Sequence, residues 1–154
     1  MSARPIRLLP DPVLRGTARP VAAFDEALAA LARGMLDAMV AASGRGLAAP
    51  QVGVALRLFV MDEGWKEGRP DPRAFADPEV LWSSPETATR EEGCLSIPGR
   101  LWRVTRPARV RLRWRGLDGA PAEGAFDGFA AACVQHEIDH LDGVLICDRG
   151  EEVA

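Results

Sequence analysis

Two histidines are all this chain has, and both fall in one short stretch, Gln135-His136-Glu137-Ile138-Asp139-His140. The pattern His-Glu-x-x-His has a direct chemical reading if the stretch is helical. Positions i and i+4 of a helix lie one above the other on the same face, so His136 and His140 can aim a ring nitrogen at one metal ion. Glu137, about 100° round from His136, can then sit beside the ion and take a proton from a water. Water needs that help, and a bound metal can lower its pKa from 15.7 to about 7. The neighbouring residues are apolar, which argues against a chance match on a solvated helix.

Catalytic metal sites commonly take three protein ligands and keep one position open. Ile146 stands six residues after His140, where one class of metalloprotease would place a third histidine, so that class is excluded. The third ligand must be a carboxylate or a thiolate. Asp139 and Asp142 are tied to the same helix in poor geometry. Cys133 lies one turn before His136 but is too short to reach past that turn, so it reads as pocket lining. Cys147 follows soon after the helix, and Cys94, in a separate segment, can approach from across a cleft.

Elements must position these groups, and their periodicities are visible. A helix is expected over about residues 26–42, with Asp25 as N-cap and Leu28, Leu31, Met35, Leu36 and Met39 forming one apolar stripe. Ser43 and Gly44 stop it. The middle reads as β, with apolar runs at Leu56–Met61 and Arg109–Arg115 and weaker ones around Ala74–Leu81 and Glu86–Leu95. Arg109, Arg111, Arg113 and Arg115 alternate with Val110, Leu112 and Trp114, so they read as the solvated face of a strand rather than a nucleic-acid patch. A second helix is expected over about Gly128–Leu141, with Asp127 as N-cap and Gly143 just beyond its end. Prolines at positions 5, 10, 12 and 20 make residues 4–21 an irregular lead-in. The whole is an α+β fold, with mostly antiparallel strands around a central metal-binding helix and a further helix near the N-terminus.

At 154 residues the chain suits one catalytic domain, residues 1–154. The net charge of −3 gives no reason to expect nucleic acid or an anionic membrane as partner. Met1 to Arg15 show no secretory signal, and no apolar stretch approaches the ~18 residues of a membrane-spanning helix. Three scattered cysteines fit a reducing cytoplasm better than a disulfide framework.

Three segments resemble, in order and spacing, the motifs of the peptide deformylase family. They are Gly44-Arg45-Gly46-Leu47-Ala48-Ala49-Pro50-Gln51, then Glu92-Gly93-Cys94-Leu95-Ser96, then Gln135-His136-Glu137-Ile138-Asp139-His140-Leu141. Leu9-Pro10-Asp11-Pro12-Val13-Leu14-Arg15 also resembles the family's N-terminus, and the likeness covers about residues 8–148. It implies one divalent ion, Fe2+ or in its place Zn2+, Ni2+ or Co2+, held by Cys94, His136 and His140. The implied substrate is the N-formyl group on the first methionine of a new polypeptide. Glu137 would move the proton, and the Gln51 amide and Leu95 N–H would donate to the oxyanion. Arg45, Gly46, Arg90, Gly93, Phe129, Ala132 and Cys133 would line the substrate pocket, with the glycines letting backbone come close.

The chain departs from the family pattern at Arg45 (usually isoleucine or valine), at Arg90 (usually apolar) and at Leu101 (often arginine). Only six residues follow Asp148, so the C-terminal helix of longer members is not expected, nor the ribosome docking it would serve. Two other functions stand beside the first: a related metal amidase acting on another N-acyl amine, and a silent binding protein of the same fold. The intact Cys94, His136, Glu137, His140 and Gln51 argue against silence.

Overall fold

The structure, a computed structural model, describes residues 4–154. Met1, Ser2 and Ala3, the start of the stretch read as free of a secretory signal, lie outside them. The first helix, α1, spans Glu26–Ala41, and the Asp25 side chain accepts from the Leu28 N–H at 3.1 Å, as its N-cap position requires. Its buried stripe includes Leu28, Leu31, Met35 and Met39, while Leu36 is only partly buried. Ser43, with φ 60°, turns the chain out of the helix, and the Gly44 N–H returns to Met39 O at 2.8 Å.

A five-stranded antiparallel sheet carries the centre of the molecule. Its strands are β1 (Gly46–Ala48), β2 (Leu58–Met61), β3 (Arg73–Ser83), β6 (Arg109–Arg115) and β7 (Pro121–Asp127), in that spatial order. All four residues of β2 are buried because the strand lies between two helices. Leu58 and Val60 pack towards α1, while Phe59 and Met61 join the aromatic cluster of Phe75, Trp114 and Phe126 on the other face. Phe59 and Phe75 stack with ring centres 4.4 Å apart. In β6 the arginines alternate outward over buried Val110, Leu112 and Trp114. Arg109, Arg111 and Arg113 each pair with a glutamate (Glu86, Glu123 and Glu79), so this basic ladder is matched by acid and presents no cationic stripe.

A second, three-stranded sheet holds β4 (Thr87–Cys94), β5 (Ile97–Pro107) and β8 (Gly150–Glu152) in the order β4-β5-β8. The second helix, α2, spans Gly128–Leu141 and touches β1, β2, β6 and β7 of the larger sheet and β5 of the smaller. It is the element that both sheets share. Gly143, with φ 75°, follows its end, and a Cβ there would fall 2.4 Å from Arg15 O.

The α+β class with antiparallel strands around the central helix is as expected. Four strands, β1, β5, β7 and β8, lie outside the runs expected from sequence, and Asp127 stands at the N-cap of α2 without its side chain capping. Among the described residues no helix is long and apolar enough to cross a membrane.

Candidate active site

α2 turns one face towards the end of β4, and that meeting makes the site. His136 and His140 come from the helix, and Cys94 comes from the last position of β4, where the ladder shifts register after Gly93. Cys94 still pairs with Ile97, and the irregularity falls between it and Gly93, which pairs with Leu101, so the ladder changes register at the residue that reaches the site. One ligand atom from each of the three residues lies within 4.8 Å of the others, and Cys94 Sγ is 3.4 Å from His140 Nε2. The Nδ1 of His136 donates to Glu92 Oε1 at 3.1 Å, which fixes the ring and leaves Nε2 free. Two imidazoles and a thiolate form a donor set that suits zinc or iron.

Glu137 lies beside these atoms, 4% exposed, and its Oε1 has no hydrogen-bond partner. Burial pushes its carboxyl up to about 7, against the pull of His136, and Glu92 adds to the rise. A carboxyl near neutrality suits a group that must both accept and return a proton. Burial also drives His140 well below the usual histidine range, which keeps its ring neutral and able to ligate. Cys133 is pushed the other way. Burial and the Glu137 charge raise its thiol well above the ordinary value, so it stays protonated.

The 3-10 turn Ala49–Val52 brings in Gln51, which is 1% exposed. Its Oε1 accepts from Ala48 N at 3.0 Å, and its Nε2 donates to Ser96 Oγ at 3.1 Å and faces Cys94 Sγ at 3.6 Å. The amide is thereby held with its N–H side towards the thiol. Gly46 is required by close approach. A Cβ on it would lie 2.7 Å from Glu137 Oε2 and 2.8 Å from Cys133 Sγ.

These residues open on a cavity of about 590 Å3. Arg45, Gly46, Gln51, Arg90, Gly93, Cys94, Leu95, Phe129, Ala132, Cys133, His136 and Glu137 all line it, and His140 lies beneath, 1% exposed. The two arginines differ. Arg45 is engaged, donating to Glu67 at 2.9 Å and to Glu63 O at 3.2 Å, with its guanidinium 5.6 Å from the centre of the Phe129 ring. Arg90 is exposed and makes no ion pair among the described residues.

The sequence did not single out the charges behind His136. Arg106 donates to both Glu92 oxygens, at 2.8 and 2.9 Å, and to Asp139 at 2.9 Å. Burial alone would raise Glu92, but His136 and Arg106 hold it down to about 2. In sequence Glu92 stands out only as part of a motif, and Asp139 only as a poorly placed ligand.

Comparison with known proteins agrees with this geometry. The sequence model for "Polypeptide deformylase" matches residues 3–154. The peptide deformylase of Phenylobacterium zucineum is 47% identical over 149 residues, which is 97% of this chain and 88% of that protein. That of Brucella suis is 48% identical over 150 residues, 97% of this chain and 85% of the relative. The crystal structure of the Thermotoga maritima peptide deformylase superposes with a TM-score of 0.92 at 44% identity, covering 97% of this chain and 98% of the other. A peptide deformylase from Legionella pneumophila gives 0.90 at 42%, covering 96% and 85%.

Proposed function

Because the chain belongs to the polypeptide deformylase family, whose members are metal-dependent hydrolases, we propose that Cys94, His136 and His140 hold one ferrous ion beside Glu137 as proton carrier. The reaction is removal of the N-formyl group from new polypeptides. The observation that supports these roles is the convergence of a thiol, two imidazoles and an unpartnered buried carboxyl at one end of the cavity.

A divalent ion held there by Cys94, His136 and His140 would supply Lewis acidity, polarising a carbonyl and lowering the pKa of a nearby water. Glu137 takes the proton of the attacking water and later returns it to the departing amine nitrogen, so that formate and a free N-terminus leave. The Gln51 amide, already aimed at the thiol, and the Leu95 N–H donate to the oxygen that gains charge, a type of contact whose removal costs roughly 2.7–4 kcal/mol. Phe129, Ala132 and Cys133 form an apolar wall for the methionine side chain. Its substrate is a nascent chain, so the protein works in the cytoplasm, where such chains emerge.

The test is formate release from formyl-methionyl peptides by protein loaded with iron under anaerobic conditions. Ligand choice has its own readout. In the cobalt-substituted protein the sulfur-to-metal charge-transfer band should vanish in Cys94→Ser and persist in Cys133→Ser. The reverse pattern would move the thiolate ligand to Cys133.

Selectivity at the pocket turns on Arg90. A charged head inside an apolar pocket is costly without a partner, and the exposure of Arg90 lets the stem line the wall while the guanidinium reaches water. Formyl-Met peptides are therefore expected to give higher kcat/KM than formyl-Glu peptides, both in wild type and in Arg90→Ile. A wild-type preference for formyl-Glu that Arg90→Ile reverses would make the guanidinium a substrate ligand instead.

A further inference from the structure

We propose that Arg149, outside the cavity, is a positioning residue for His136, acting through a chain of alternating charges. Arg149 donates to both oxygens of Asp139, with Nε to Oδ2 at 3.0 Å and Nη2 to Oδ1 at 2.8 Å. Asp139 Oδ2 also accepts from Arg106 Nη1 at 2.9 Å. Arg106 grips Glu92 with its other two donors, and Glu92 Oε1 holds His136 Nδ1 at 3.1 Å. The assignment rests on the reading of His136 as a metal ligand.

The links tighten inwards. The side chain of Arg149 is 49% exposed, whereas those of Asp139, Glu92 and Arg106 are 12%, 10% and 7% exposed. In that dry interior the Arg106 fork has a fixed task for each nitrogen, so its plane is set by Glu92 on one side and Asp139 on the other. Arg149 in turn fixes the plane of the Asp139 carboxylate. Without Arg149, Asp139 is free to rotate both oxygens onto Arg106 and draw the guanidinium off Glu92. The last link then slackens, and the His136 ring loses the partner that sets its tautomer and tilt.

Two observations single out this chain. His140 Nδ1 is buried with no partner among the described residues and its Nε2 meets only the Cys94 thiol at 3.4 Å, so a carboxylate orients only one of the two imidazoles, that of His136. The backbone at Arg149 is also pinned. Gly150 pairs with Val104 on β5, two residues from Arg106, and a Cβ on Gly150 would lie 1.9 Å from Arg103 O. The strand that carries Arg106 therefore also sets where Arg149 begins. A purely structural role, tying the C-terminal segment to α2, would be a half-exposed ion pair of little consequence.

The experiment compares cobalt-loaded wild type, Arg149→Ala, Arg149→Lys and Arg100→Ala by metal affinity, visible spectrum and thermal midpoint. Arg100→Ala removes a similar bidentate pair, to Glu152 on the same sheet, without touching Asp139. Arg149→Ala should bind cobalt roughly tenfold or more weakly and shift the ligand-field bands, since losing an outer partner typically costs 10–100-fold in affinity. Arg149→Lys, keeping one donor, should recover part of that loss, and Arg100→Ala should match wild type in both readouts. If Arg149→Ala lowers only the midpoint, as Arg100→Ala does, with affinity and spectrum unchanged, the positioning role is wrong. A wild type that binds no cobalt would overturn the metal site itself and the proposal with it, an outcome distinct from equal binding by both proteins.

Discussion

Glu137→Gln is expected to keep its metal and lose roughly 10²–10⁴-fold in turnover, the usual worth of general acid–base catalysis. The substitution preserves shape and volume, so Gly46 and Cys133 still fit against it. It removes the basic oxygen. Glu137 is 4% exposed with one oxygen unpartnered, whereas Glu92, which also lines the cavity, is held by Arg106 and His136. The thermal midpoint should not fall, because burial opposes the charged carboxylate and an amide carries no such penalty. Metal content by elemental analysis and formate release measured on the same samples separate the two properties. Near wild-type turnover at full metal content would remove Glu137 from the mechanism.

Arg106→Ala should be the most destabilising single change at this site. It removes the cation that Glu92 and Asp139, both nearly buried, share, leaving Glu92 with His136 alone and Asp139 with Arg149 alone, and breaking a buried pair costs roughly 3–5 kcal/mol. Domains of this size have about 5–15 kcal/mol in hand, so the thermal midpoint should drop on the order of 10 °C. Arg106→Lys should recover little, because an ammonium cannot serve both carboxylates in the plane the guanidinium does. The pH dependence has a definite sign. Glu92 is depressed in the folded protein, so its share of stability is present above its ordinary value of 4.5 and is lost as pH falls towards about 2. The gap between wild type and variant should narrow over that window. Equal midpoints at neutral pH would mean that the ion pairs contribute nothing net.

The parts of this architecture that follow a single period could be read from sequence. Both helices and β6 show clear spacing, and their bounds match within a residue or so. β5 alternates too, but its inward residues are Trp102, Val104 and Arg106, and the charge on the third breaks the apolar pattern. β7 has little inward side chain besides Phe126, and β1 and β8 are three residues each, too short for any period to show. The site divides the same way. His136, Glu137 and His140 are set by one helix, so spacing alone places them. The ion-pair chain joins Glu92, Arg106, Asp139 and Arg149 from separate segments, with Arg106 and Asp139 33 residues apart. In sequence such residues look like ordinary solvated charges, and only the fold that buries them turns them into a network.

Gly46 sets a limit on how this protein can drift. The nearest obstacles to a side chain there are the ends of two others, Glu137 and Cys133, and not backbone. An alanine there would fit only if the Glu137 carboxyl and the Cys133 thiol both gave way. That movement displaces the one group whose position the chemistry depends on. A side chain at position 46 therefore bears on the chemistry as well as on the packing. A pocket under pressure from a tight-binding small molecule could not escape by thickening this wall. At the rim, Arg90 and Phe129 are exposed, so a change in size there meets less packing than at position 46 and reshapes the mouth of the cavity instead.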